Sequence, residues 1–492
     1  MTCDNKEFLT LRGGRTPRWR EECGVFGVWS ESRPVVDVCY LGLFALQHRG
    51  QESAGIAVSD GMHIDLEKGM GLMTEAFKTR APSLKGYCAI GHVRYSTFGG
   101  ASFANIQPIF ASFASSSGGG FVCLAHNGSL VNAKKLRARL EAGGCVFQST
   151  SDSESMLNLI ALNSAPTIEG KILSSLETVE GAYSLTLMAG ARGSADSTHE
   201  ARLIGVRDPH GFRPLCLGRL GEREYVLASE SCALDAAGAE FVRDVQPGEM
   251  VVIGRKGVRS FFLQKKERLA SCVFEYIYFA RPDSTIDGLN VWQARYRMGR
   301  QLAKEFQEGY PGVVPDAVVP VPDTGITAAI GFSAESGVPY AEGLIKNRYV
   351  GRTFILPEQN ARKSTVGMKL NPLRENLKGR KVVLIDDSIV RGTTSARLID
   401  LLRGAGAAEI HMCVSSPPIT HPCYYGIDTS IRKELIAAVS TVEEIRKTLG
   451  TDSLHYLTLR GLLESVNDAG GGKMCTSCFH GDYPTDVTEV AL

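Results

Sequence analysis

Residues Val382 to Ser395 read VVLIDDSIVRGTTS, an apolar strand that ends in two carboxylates and runs into a Gly-Thr-Thr-Ser turn and an amphipathic helix. Backbone N–H groups and hydroxyls at a helix N-terminus form an anion site. Asp386 and Asp387 would repel a phosphate, so they must serve another partner. Ribose hydroxyls and Mg²⁺ fit, because Mg²⁺ commonly binds one or two carboxylates together with substrate phosphates. Solvation with helix capping is the plainer reading of a bare Asp pair. Cys23, before Gly24 at the head of the strand-like run CGVFGVWS, is either a small packing residue or a nucleophile. Downstream of it HRGQESAG, GHVRYST, AHNGSL and TSDSE each close a strand-like run in a polar turn, where a site could be assembled. Cys475 and Cys478 form a CxxC that could be redox-active, bind zinc or do nothing.

The elements that must position these residues fall into two rhythms. From Cys23 to about Val252, strand-like runs (ESAGIAVSDG, YCAIGHVRYST, GAYSLTLMAG, ARLIGVRD, EYVLASES) outnumber helices. VCYLGLFALQHRG has helical apolar spacing, and SDSESMLNLIAL opens with Ser and Asp before an apolar run, a helix start. Helices grouped rather than alternating suggest an α+β layered domain. After about residue 270 the pattern becomes strand, loop, helix: DAVVPVPDTG into TAAIGFSAESG, then KVVLIDD into TTSARLIDLLRGAG and EIHMCVSS. That pattern predicts an α/β domain with a parallel sheet covered on both faces and ligands at the strands' carboxyl ends. Ser115–Gly120 (SSSGGG) and Gly470–Gly472 look like flexible breaks.

Bulk composition narrows the classes. A chain of 492 residues is too long for one ordinary core. Its 54 basic and 53 acidic residues give no bulk case for nucleic acid or an anionic membrane. Met1–Glu22 carries arginines but no apolar segment of signal-peptide length, and no run of about 18 apolar residues occurs, so a cytoplasmic location is expected. Thirteen cysteines are then better read as thiols, ligands or nucleophiles than as a disulfide framework.

The motif set around Cys23 resembles the N-terminal-nucleophile glutamine amidotransferases, most closely the phosphoribosyl pyrophosphate (PRPP) amidotransferase family, and the resemblance runs from Glu22 to the end of the chain. It implies a layered αββα glutaminase domain over residues 23–265, after a propeptide, residues 1–22, whose removal makes Cys23 the first residue. A free α-amino group, with a pKa of about 7.7–8.0, can then take the thiol proton, which an amide nitrogen cannot. The resemblance assigns an oxyanion hole to the Asn127 side chain and the Gly128 N–H, the substrate α-carboxylate to Arg94, its ammonium to Asp152, and pocket lining to Arg49 and Gly50.

Over residues 266–465 the resemblance implies a type I phosphoribosyltransferase domain. Asp386 and Asp387 then hold ribose and Mg²⁺, and Arg391, Gly392, Thr393, Thr394 and Ser395 cradle the 5′-phosphate. VPDTG, with Thr324 near the metal, resembles the pyrophosphate loop. Arg348, Arg352 and Lys363 look like the cations of a mobile loop that closes over PRPP and completes a passage for ammonia. Val366-Gly367-Met368-Lys369 stands where the family commonly has Val-Arg-Met-Lys. The iron–sulfur branch of the family pairs the CxxC of the tail, residues 466–492, with two distant cysteines, here Cys272 and Cys423. Four thiolates hold zinc or a [4Fe–4S] cluster equally well on sequence grounds, and only the resemblance selects iron. Glutamine and PRPP as substrates, purine nucleotides as feedback inhibitors, a homodimer or tetramer, and a place in purine synthesis are implied in the same way. The glucosamine-phosphate- and asparagine-forming glutaminases lack a counterpart of DDSIVRGTTS, and a PRPP-binding regulator would not need the glutaminase set.

Overall fold

The computed structural model describes residues 23–78, 81, 83–95, 102–115, 118–192, 200–264, 267–347, 370–429, 431–468 and 470–490. The N-terminal half is built on two stacked antiparallel sheets. In spatial order the first holds strands Glu240–Asp244, Cys216–Arg219, Tyr225–Ala228, Gly24–Trp29, Cys88–Arg94, Ser53–Ser59 and Ile64–Met70. The second holds Gly257–Phe262, Glu249–Gly254, Arg202–Arg207, Gly181–Arg192, Gly118–Leu130 and Ile109–Ser115. Val25, Ile90, Cys123, Met188, Leu203 and Val251 pack between the sheets. Helix Val35–Ala45 covers the first sheet from outside, and helices Ala133–Ala142, Ser153–Leu162 and Ile168–Leu176 cover the second. This is the expected αββα layering. Both faces of the central strands are covered, so CAIGHVR is buried along its whole length.

The C-terminal half carries one parallel sheet, Ala317–Pro320, Lys381–Asp386, Glu409–Val414 and Ser453–Tyr456, adjacent in chain order. Helices Val291–Gly309 and Gly325–Ser336 pack on one face, and Thr393–Gly404 and Val442–Leu449 on the other. The tail returns to the junction between the halves: Met474–Cys475 pairs in parallel with Ser271–Cys272. Among the described residues no helix is long and apolar enough to cross a membrane.

Two expectations are narrowed here. Of the Ser115–Gly120 break, Ser116 and Ser117 lie outside the described residues, while Gly118–Gly120 begin a 13-residue strand whose register pairs Phe113 with Gly120 and Ser115 with Gly118. Gly472 is likewise held, because the Asp468 carboxylate accepts hydrogen bonds from the N–H groups of Gly472, Lys473 and Met474. Glycine-rich composition reports backbone freedom in the unfolded chain, and it does not show whether the folded chain uses that freedom.

Candidate active site

Strand register brings the first group together. Gly24 pairs with Val93, which sets Cys23 beside the end of the strand that carries Arg94, and the Cys23 thiol lies 3.5 Å from the Tyr95 carbonyl oxygen. Two residues earlier His92 Nε2 donates to the His126 carbonyl (3.0 Å), tying this strand to the second sheet just before Asn127. Burial lowers the His92 pKa to about 3, so the ring is neutral and Nε2 carries the proton. The His126 backbone N–H donates to Gln107 Oε1 (2.7 Å), and the His126 ring is fixed by Ser153 Oγ at Nδ1 (3.0 Å) and the Ala182 carbonyl at Nε2 (3.2 Å).

Asn127 and Gly128 follow on a strand locked on either side. Gly128 has φ +141°, and a Cβ there would lie 2.1 Å from the Ala182 carbonyl oxygen, so only glycine fits. The Asn127 Nδ2 group is buried and has no hydrogen-bond partner among the described residues. Such a donor costs about 1–3 kcal/mol unless a ligand accepts from it. Asp152, at the N-terminus of helix Ser153–Leu162, accepts from the Leu130 N–H (2.9 Å), two residues past Gly128. Arg94 Nη1 lies 4.0 Å from Glu52, and its side chain is buried. The two sheets and helix Ser153–Leu162 thus bring a thiol, a buried amide donor, a buried cation and a carboxylate onto hydrogen-bonded neighbouring segments.

Arg49 lies directly beside Cys23. Its guanidinium is fully buried, paired through Nη1 with Glu230 (2.6 Å) and through Nη2 with Glu275 (2.7 Å), while Nε donates to the Cys23 carbonyl (3.1 Å). It supports the main chain of the thiol residue. Gly50 is packed against the Val93–Arg94 backbone, 2.5 Å from where a Cβ would stand.

The second group lies at the carboxyl edge of the parallel sheet. Val321 N–H donates to the Ile385 carbonyl (2.8 Å), which draws the VPDTG loop against the Asp pair. Thr324 Oγ1 and Ser388 Oγ both donate to Asp387, and the Asp387 N–H donates to Asp386 Oδ1 (3.0 Å). Burial and the neighbouring carboxylate raise the pKa of Asp386, and burial raises that of Asp387. Gly392 caps helix Thr393–Gly404, Ser395 is buried in its first turn, and Arg391 pairs with Glu434. The N-terminal turn of helix Thr393–Gly404 thus follows directly on two buried carboxylates that gain from a cation or hydroxyl donors. Arg348, Arg352 and Lys363 lie outside the described residues, as does residue 1–22 of the expected propeptide.

Cys272, Cys423, Cys475 and Cys478 line one small pocket with Phe212, Phe274, Pro422, Tyr425, Ile427 and Tyr483. Tyr425 N–H donates to Cys423 Sγ (3.4 Å), and Cys475 Sγ lies 3.5 Å from Ser477 Oγ. Burial raises the thiol pKa of Cys478, and the other three sulfurs add to it. Among the described residues no three His, Cys, Asp or Glu side chains are gathered so as to hold a single metal ion. Cys39, Cys88, Cys123, Cys216, Cys232 and Cys413 are buried and Cys145 is half-buried, while Cys3 lies outside the described residues.

Residues 92–236 match the glutamine amidotransferase domain family, and residues 286–436 match the phosphoribosyl transferase domain family. The amidophosphoribosyltransferase of Archaeoglobus fulgidus is 50% identical over 94% of this chain and 98% of its own length. The chain belongs to the amidophosphoribosyltransferase family. The Bacillus subtilis amidophosphoribosyltransferase is 47% identical over 95% of each chain. A solved structure of glutamine PRPP amidotransferase from B. subtilis, complexed with ADP and GMP, superposes with a TM-score of 0.85 at 46% identity, covering 94% of this chain and 98% of that one. As an amidophosphoribosyltransferase the chain is a glutamine-dependent pentosyltransferase that acts at the first step of purine biosynthesis.

Motif reading passed over four residues that support the first group: Gln107, Ser153 and Glu230, and, from beyond residue 265, Glu275. Glu275 gave the clearest hint. It is the one charge in the apolar run CVFEYIYFA, and a carboxylate buried among aromatics requires a cationic partner.

Proposed function

We propose that Cys23 is the glutaminase nucleophile, exposed as an N-terminal residue by removal of residues 1–22, and that ammonia released there is added to PRPP at Asp386–Ser395. The observation that carries this reading is the buried, unpartnered Asn127 Nδ2 beside Gly128, on a strand tied to that of Arg94. The α-amino group takes the thiol proton, and the thiolate attacks the glutamine carboxamide carbon. The developing oxyanion receives hydrogen bonds from Asn127 Nδ2 and the Gly128 N–H, a donor pair of which each member is worth about 10²–10³ in rate. Ammonia leaves with the returned proton, and water hydrolyses the glutamyl thioester. Arg94 holds the substrate α-carboxylate and Asp152 its ammonium, so both ends of the substrate are fixed.

In the transferase half, Asp386 and Asp387 orient the ribose, while the N–H groups and hydroxyls of Arg391–Ser395 hold the 5′-phosphate. Asp386, Asp387 and Thr324 suit Mg²⁺, which would offset the charge of the pyrophosphate leaving group. Ammonia attacks the anomeric carbon as pyrophosphate departs, giving 5-phosphoribosylamine. We assign residues 23–265 to the glutaminase domain, 266–465 to the transferase domain and 466–492 to the tail. Regulation by purine nucleotides, a dimer or tetramer, and a cytoplasmic location complete the reading.

Intact-mass analysis of active enzyme tests it, and should show loss of Met1–Glu22. Full glutamine-dependent activity from a homogeneous unprocessed chain would end the α-amine mechanism.

We assign a [4Fe–4S] cluster to the four-cysteine pocket. A zinc ion draws four sulfurs to about 2.3 Å from one point, whereas a cluster spreads its thiolates over several irons. The pocket has an apolar wall and N–H and O–H donors to sulfur, and it joins Cys272, the Cys423 loop and the tail. A cluster held there would cross-link the tail to the junction between the halves. Protein purified without oxygen should contain about four iron and four sulfide per chain. Cys475→Ser should yield insoluble or unprocessed protein. Stoichiometric zinc without sulfide, in fully active protein, would overturn the assignment.

A further inference from the structure

Two contacts reach the glutaminase centre from beyond residue 265. The first runs through Glu275, which opens the single π-helical turn Glu275–Phe279. Its carboxylate is buried and grips Arg49 with both oxygens, at 2.7 and 2.9 Å, and Arg49 Nε holds the Cys23 carbonyl. The turn is itself fixed by Arg295 of helix Val291–Gly309, which donates to the Tyr276 and Ala280 carbonyls, each at 2.8 Å. The second contact is Gly426, in the loop that follows Cys423. It has φ +118°, and a Cβ there would meet the Gly128 carbonyl carbon at 3.3 Å, the Gly128 Cα at 3.4 Å and Arg213 Nη2 at 3.2 Å. Arg213 in turn donates to the Tyr425 carbonyl (2.7 Å), and Tyr425 stacks on Phe212 with ring centroids 4.1 Å apart. Gly128 is thus pinned between the Ala182 carbonyl and a loop of the other half.

From these contacts we infer that Glu275 and Gly426, both in the C-terminal half, are positioning residues for glutamine hydrolysis. Glu275 sets the nucleophile's main chain through Arg49, and Gly426 sets the Gly128 main chain that receives the oxyanion. Neither residue touches glutamine. The inference rests on the roles proposed for Cys23 and Gly128. It explains why two charges, Glu275 and Arg49, are kept fully desolvated at a junction where an apolar pair would pack at lower cost. The geometry they maintain is needed only while charge develops on the substrate oxygen, so kcat should depend on it more than KM.

Glu275→Gln keeps the shape of the side chain and removes its charge. Gly426→Ala adds one methyl group against Gly128, and serves as the independent variant should the first fail to fold. Glutamate release and ammonia-dependent synthesis are measured on the full-length enzyme. Each variant should lose about 10²-fold in kcat for glutamine hydrolysis, the cost of misplacing a reacting group by about 1 Å. KM for glutamine should change little, and ammonia-dependent synthesis should stay at the wild-type rate. Wild-type hydrolysis in folded Gly426→Ala overturns the proposal, as does an equal loss of both activities or a rise in KM with kcat intact. Cys23→Ala separates the two levels: glutamine hydrolysis that survives it would defeat the glutaminase reading itself.

Discussion

Cys23→Ala should abolish glutamine-dependent synthesis while ammonia-dependent synthesis continues at the wild-type rate. Removal of a catalytic nucleophile costs about 10⁶-fold where the remaining groups act only through it. The proposed mechanism meets that condition, because Asn127, Gly128, Arg94 and Asp152 are assigned to hold glutamine and none of them supplies a second nucleophile. The folding cost should be small. Cys23 is 8% exposed at the mouth of its strand, and its thiol lies 3.5 Å from the Tyr95 carbonyl oxygen. Arg49 holds the residue by its carbonyl, which alanine retains. The measurement is a pair of rates, phosphoribosylamine formed from glutamine and from ammonium at a pH where free ammonia is present. Equal loss of both, in protein that melts normally, would show that the two chemistries are not divided between the halves.

The residues proposed for the two chemistries were readable because they lie in short local motifs. Asn127-Gly128 and Asp386-Asp387 with Arg391–Ser395 are each contained in one strand-to-turn segment, so their spacing survives in the sequence. The layering was readable for a related reason: continuous apolar runs such as VVLID mark strands covered on both faces. What holds the motifs in register was hidden. Arg49 meets Glu230 and Glu275 across 181 and 226 residues, and periodicity says nothing about such partners. Gly426 looked like any loop glycine, since the need for a missing Cβ arises only where Gly128 packs on it. The Arg49 guanidinium follows the demand of two buried carboxylates.

Replacing both Asp386 and Asp387 by Asn should remove synthesis from glutamine and from ammonia alike, by at least about 10³-fold in kcat/KM for PRPP, the scale expected when charge-stabilising groups are deleted from a reacting centre. The same double variant should be more stable than the parent, and this separates a functional pair from a structural one. Both carboxyls are buried side by side, with desolvation raising the pKa of each and the neighbouring charge adding to that of Asp386. A folded-state pKa above the unfolded value means that the fold favours the protonated acid. Stability is therefore lost as pH rises from the unfolded value, about 3.9, through the raised folded value. At pH 8 the wild-type enzyme bears more of that cost than at pH 4 and the Asn variant bears none, so the variant's melting temperature should be higher, by about 2–4 °C for each kcal/mol recovered. Near pH 4 the difference should shrink. PRPP with Mg²⁺ should raise the melting temperature of the wild type and leave that of the variant unmoved, because only a ligand that binds the folded state stabilises it. An Asn variant that is less stable at pH 8, yet binds and turns over PRPP normally with ammonia, would make the pair a structural feature of the strand end and move the ribose site elsewhere.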